Sequence, residues 1–147
     1  MINIRKAIVE DAADAIDTIH CSITELCIVD HHNNQNEIEE WLANKTEQQW
    51  RRWIARKDAV VLIAERERHV IGVGMATLKG EILLNYVHPK ARFSGVSKEI
   101  LAGLEKALKM NGALSCRLES TVTAHTFYES CGYRSEKDNP LVLEKYL

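Results

Sequence analysis

The chain lacks most of the features that would take it out of the ordinary globular class. It has two prolines in 147 residues. No Pro/Ser-rich linker, repeat or low-complexity tract divides it, so one domain over residues 1–147 is expected. Neither sign of charge dominates: 19 basic residues against 21 acidic ones leave −2, which supplies no field for nucleic acid or an anionic membrane surface. No apolar run is long enough to span a bilayer. The start, Met1-Ile2-Asn3-Ile4-Arg5-Lys6, passes from strand-like residues straight into charge with no signal-peptide core, so a cytoplasmic location is the expectation. Cys21, Cys27, Cys116 and Cys131 form no C-x-x-C pair and are too few for a disulfide framework; reduced, buried thiols are expected. His20, Cys21, Cys27, His31 and His32 cluster in the sequence, but their spacing matches no zinc-ligand pattern. No metal is therefore expected, and His31-His32 reads as a solvated turn.

What is present is an alternation of short elements. With 46% apolar residues the chain can bury an adequate core. A strand at about residues 2–7 precedes a helix carrying Ala12, Ala15, Ile16, Ile19, Ile23 and Leu26 at helical spacing. The polar stretch 31–36 breaks it. A second helical region spans about 37–56 in two pieces, because Thr46-Glu47-Gln48-Gln49 offers an N-cap with Gln at the capping-box position. Trp41, Trp50 and Trp53 read as anchors of that region. Strands at 60–64 and 69–76 follow, joined by the charged turn 65–68, and residues 82–87 form a central strand. The order β-α-α-β-β-β-α-β-α-β indicates an α+β fold, a mixed, mostly antiparallel sheet flanked by helices.

The densest chemistry follows the central strand. In Tyr86-Val87-His88-Pro89-Lys90-Ala91-Arg92-Phe93-Ser94-Gly95-Val96-Ser97, an apolar run stops at proline and gives way to a basic turn. The turn opens a helix through Ile100, Leu101, Leu104, Ala107 and Leu108, which Asn111-Gly112 ends. The first N–H groups of a helix lack intrahelical partners and the macrodipole is positive there, so the turn favours phosphates. His88, Lys90, Arg92 and Lys98 add positive side chains.

The order strand, V-x-P, R-x-x-G-x-S, long helix resembles the acetyl-CoA-binding core of the GNAT superfamily of N-acetyltransferases, whose signature is Q/R-x-x-G-x-G/A. Ser97 stands where that family usually has Gly or Ala. The resemblance extends through Arg117-Leu118-Glu119, Ala124-His125-Thr126-Phe127-Tyr128 and Cys131-Gly132-Tyr133, and covers most of the chain. It implies acetyl-CoA as acetyl donor, held by the turn Arg92, Phe93, Ser94, Gly95, Val96 and Ser97 and by the backbone of Tyr86 and Val87. It also implies a primary amine acceptor, either a small molecule or a protein or peptide amine. Direct attack in a ternary complex is the mechanism that the resemblance implies.

Within that resemblance Tyr128 is the proton donor to the departing thiolate, a step that a phenol speeds. The alternative is an aromatic pair, Phe127-Tyr128, packing a helix on the sheet. Glu81 begins the central strand, and alternation puts Glu81, Leu83, Asn85 and Val87 on one face. From that position a carboxylate takes the amine proton, or else Glu81 is a solvated hairpin residue. Glu119 is the second candidate base. Thr121 stands where many family members have an Asn on the cofactor arm; the commoner role of a Thr at this spacing is a helix N-cap, which Thr121 or Thr123 can fill. Asp30, Glu37 and Trp41 are candidates for the acceptor site. A non-catalytic CoA-binding sensor or interaction module of the same fold is the competing reading, carried by Ser97 and Thr121. The apolar last strand, Leu141-Val142-Leu143, suggests a homodimer paired across a sheet edge.

Overall fold

Residues 3–66 build one half of the molecule around a strand, four helices and a return strand. The computed structural model describes residues 1–147. It opens with β1 (Asn3–Lys6), followed by α1 (Ala12–Leu26), α2 (Ile28–His31), α3 (Gln35–Leu42), α4 (Glu47–Ala55) and β2 (Ala59–Arg66). β3 (His69–Thr77) pairs with β2 through a tight turn in which Glu67 and Arg68 take φ of 53° and 67°. After these come β4 (Ile82–Val87), α5 (Val96–Met110), β5 (Ser115–Glu119), α6 (His125–Ser130), β6 (Arg134–Ser135) and β7 (Val142–Tyr146).

The strands form two antiparallel sheets, ordered β1-β2-β3-β4 and β5-β7-β6. They touch only at their start, where Glu81 and Arg117 form a parallel bridge and the Arg117 N–H donates to the Gly80 carbonyl at 2.8 Å. Beyond that bridge β4 and β5 part, and no ladder closes the gap.

Each face of the first sheet carries its own core. α5 buries Val96, Ile100, Leu101, Leu104 and Leu108 against one face. It lies close because β3 presents glycine there: a Cβ on Gly74 would fall 2.3 Å from Ile100 Cγ2. On the other face Ile16, Ile19 and Ile23 of α1 pack with Trp50 and Trp53 of α4. The Trp50 Nε1–H donates to the Ile8 carbonyl at 3.0 Å, so its polar edge is satisfied in the core.

The α+β class agrees with the sequence pattern, as does the strand order apart from the added two-residue β6; the strands divide into two sheets instead of one, and the N-terminal helices are more numerous. The Thr46 hydroxyl accepts from Gln49 N–H at 3.1 Å, the cap that its spacing predicts. His31 is a correction. It is 2% exposed, with Nε2 2.8 Å from the Ile23 carbonyl and Nδ1 accepting from Asn33 N–H at 3.0 Å. The single helical turn of α2 folds it inward against Trp41. The last strand is a second correction. β7 lies between β5 and β6, with Val142 and Leu143 buried, so it is not an open edge on which a second copy could pair. No helix is long and apolar enough to cross a membrane.

Candidate active site

The parting of β4 from β5 opens a cavity of about 610 Å³, a volume suited to a sizeable organic ligand. Strand residues 82–87 form one wall, and residues 118–121 with α6 form the other. The turn before α5 and Ser22, Leu26 and Cys27 of the N-terminal helices complete the lining.

At the α5 end the backbone forms an anion cradle. Gly95, at φ +83°, is the helix N-cap, and no side chain caps the helix. Glu99 N–H donates to the Gly95 carbonyl at 3.1 Å, which leaves the earlier N–H groups of the turn free for a ligand. A Cβ on Gly95 would meet nothing within 4 Å. Glycine is therefore required here by the left-handed backbone, and the space in front of it stays open for a ligand. Arg92, Phe93, Val96, Ser97 and Lys98 border the same space. The Ser94 hydroxyl turns inward and donates to the Ala91 carbonyl, which fixes the turn. His88 Nδ1 accepts from Lys90 N–H at 3.1 Å, so this histidine caps the short turn 89–91 instead of facing the cradle.

Tyr128 and Asn85 are neighbours in the cavity lining. Tyr128 is 7% exposed and meets Phe127 and Tyr133 edge-on, at ring separations of 5.1 and 5.7 Å. Burial pushes its phenol up to about 12, partly offset by the nearby Asn85 amide. No hydrogen bond of normal geometry joins the two groups. The Asn85 Nδ2 donates weakly to the Ser97 carbonyl at 3.4 Å, and Asn85 Oδ1 is buried without a partner. The phenol therefore keeps its proton at neutral pH. Packing and proton donation are compatible here, because the ring is core and the residue still lines the cavity.

The remaining sequence-predicted residues divide. Tyr86, Val87 and Thr121 line the cavity, and the Thr121 hydroxyl also accepts from Ala124 N–H at 3.2 Å, so it borders the cavity and caps the turn before α6. Both carboxylates are exposed, but Glu119 lines the cavity and Glu81 does not. A bulge accounts for this. Ala76 pairs with Ile82 and Met75 with Leu84, which leaves Leu83 unpaired and breaks the alternation. Ile82 packs on the α5 side with Val87, so Glu81 falls on the face opposite to Asn85 and Val87.

Of the acceptor-site candidates, Asp30 does something the sequence did not indicate. Its carboxylate accepts from Val122 N–H at 2.6 Å, from Thr123 N–H at 3.3 Å and from the Thr123 hydroxyl, tying α2 to the loop before α6. Trp41 donates its Nε1–H to the Tyr86 hydroxyl at 3.2 Å. Glu37 is exposed beside His32 and lies outside the lining. Asn85, Ser22 and Cys27 are cavity residues that sequence reasoning missed; the one available signal was a polar Asn inside an otherwise apolar strand. All four cysteines are free thiols.

Comparison with known proteins agrees with this geometry. Over its full length the chain superposes on the PaiA N-acetyltransferase from Thermoplasma acidophilum, solved in complex with coenzyme A, at a TM-score of 0.88 with 24% identity, covering 99% of that protein. A GCN5-related N-acetyltransferase from Rhodopseudomonas palustris matches at 0.87 with 23% identity, over 99% of this chain and 95% of that one. A GNAT family acetyltransferase from Brucella melitensis in complex with acetyl-CoA matches at 0.69 with 17% identity, over 100% and 88%. These likenesses establish the fold. No protein of curated function matches the sequence. The profile of the acetyltransferase (GNAT) domain matches residues 29–143, most of the length and every wall of the cavity except Ser22, Leu26 and Cys27, and the chain belongs to that family.

Proposed function

We propose that the protein transfers acetyl from acetyl-CoA to a primary amine by direct attack in a ternary complex. One observation carries this reading: a single cavity runs from an uncapped helix N-terminus to a buried, protonated phenol. The cradle at Gly95, Val96 and Ser97 suits the pyrophosphate. β4, unpaired along the gap, offers the backbone of Tyr86 and Val87 to the pantetheine arm, as a sheet edge receives an extended chain. Thr121 borders the arm from the opposite wall.

The amine nitrogen bonds to the thioester carbonyl carbon and the C–S bond breaks. Tyr128 gives its proton to the departing sulfur, the charged nitrogen of the adduct sheds the proton it still carries, and Tyr128 regains one through solvent, leaving a neutral amide and a free thiol. An attacking amine must first lose its own proton, and Glu119 is the carboxylate within the cavity that can take it, directly or through water. Glu81 stands outside the lining, so Glu119 takes precedence in this reading. No cysteine nucleophile is required: Cys27 is held protonated by burial, its thiol pushed up to about 12.

Calorimetry with acetyl-CoA, followed by free-thiol release across a panel of amines, tests the proposal. Wild-type protein should bind acetyl-CoA, and Gly95→Glu should abolish binding by placing bulk and negative charge in the cradle. Absence of heat with the wild type overturns the reading. Binding without turnover on any amine favours the non-catalytic CoA-binding module.

A further inference from the structure

Phe93 is the residue of the cradle that folding does not explain. It is 91% exposed, so it adds almost nothing to either core. Its backbone sits at φ +63°, a left-handed conformation that disfavours residues with a Cβ. Two positions later the same requirement, at φ +83°, is met by Gly95. The turn thus carries a bulky aromatic ring where glycine would fit with less strain. Strained residues of this kind collect where a ligand is clamped.

The surroundings of the ring indicate what kind of ligand. One face is covered by the guanidinium of Arg92, whose Cζ lies 4.3 Å from the ring centroid. The rest is open and borders the cavity beside Gly95, Val96, Ser97 and Lys98. A flat apolar plate backed by a cation, adjoining a phosphate cradle, matches a ligand that joins a planar base to phosphates. Bases of every kind stack on aromatic side chains through their π faces, and arginine adds to such contacts. A bare anion would not need the ring, and an apolar partner surface would not favour the neighbouring Lys90, Arg92 and Lys98.

We infer that Phe93 is a stacking platform for the adenine of acetyl-CoA, with Arg92 supporting the ring from behind. This rests on the acetyl-CoA reading above and assigns its nucleotide end a side-chain contact. Glycine accepts the left-handed backbone, so Phe93→Gly removes the ring while the turn keeps its shape. Calorimetry should show acetyl-CoA and 3′,5′-ADP each binding Phe93→Gly about tenfold more weakly than wild type, and Phe93→Trp retaining affinity. S-acetyl-4′-phosphopantetheine, which lacks the nucleoside, should bind both proteins alike. Wild-type binding of acetyl-CoA with an unchanged Phe93→Gly overturns this inference alone. So does an equal loss for the phosphopantetheine, which would make the ring a determinant of turn shape. Wild-type protein that binds no acetyl-CoA overturns the function and this contact together.

Discussion

At the scale of single residues, Tyr128 tests whether the cavity does chemistry. Tyr128→Phe keeps the ring and its packing, so the fold and acetyl-CoA affinity should survive while turnover falls by roughly ten- to a thousandfold. A rate like wild type on a verified acceptor would make the tyrosine structural. The pH profile gives a further check. A general acid acts while protonated, and this phenol stays protonated until about 12. Activity should therefore show no fall from this group up to about pH 10. The two carboxylates form a second pair of expectations. Glu119→Gln should lower kcat/KM by about tenfold or more near neutral pH, whereas Glu81→Gln should leave it within about twofold. The reverse ranking, read by steady-state kinetics, would return the base to the start of β4. Tyr128 could be named from its motif because side chain and backbone sit close in sequence. Glu81 was misplaced on its strand because a bulge shows only when both paired strands are seen. Phe93 was marked by its place in the cradle motif and Asn85 only by its polarity within an apolar strand, while the lost partner of one and the strained backbone of the other are properties of the folded chain.

At the scale of elements, α5 was almost fully legible. Its start was set by Gly95, its stripe by Ile100, Leu101, Leu104 and Leu108, and its end by Asn111-Gly112. The short N-terminal helices were less legible because α2 has one turn, too short for a periodic pattern, and depends on His31 being drawn inside. The same turn holds Asp30, whose link to Val122 and Thr123 spans most of the sequence and so lies beyond local pattern. Hydrogen bonds to a charged acceptor exceed neutral ones, though partial exposure reduces them. Asp30→Ala should cost about 1 kcal/mol in denaturant unfolding and speed amide exchange at Val122 and Thr123. Asp30→Asn should recover part of both effects. If exchange at these amides is unaltered in Asp30→Ala, the tie does not hold the loop. Loosening it should also raise KM for acetyl-CoA more than it lowers kcat, because Thr121 lines the cavity and Tyr128 remains packed between Phe127 and Tyr133.

At the scale of the whole molecule, two sheets that share one bridge leave the cavity between them, and buried titratable groups stand around it. Composition and element order pointed to the α+β class and to one mixed sheet, whereas the division into two antiparallel sheets was not legible, since nothing local tells two strands to diverge. That architecture leads to an alkaline limit on stability. Burial pushes the Cys27 thiol and the Tyr86 and Tyr128 phenols up to about 12, from ordinary values of 9.0 and 10.0. The folded chain therefore keeps these protons where the unfolded chain releases them. Unfolding is favoured as pH rises through that interval, so the stability these groups allow is complete below about pH 9 and is lost progressively towards 12. The Tm should be level between about pH 7 and 8.5 and should then fall, more steeply above pH 10 where the phenols join the thiols. Tyr128→Phe removes one of these protons and should flatten the upper part of the curve without changing its onset, which the thiols of Cys21, Cys27 and Cys116 set together, each held up from 9.0 by burial. A wild-type Tm that stays level to pH 10.5 would show that water reaches these groups freely, and the buried, protonated phenol assigned to Tyr128 would fail with it.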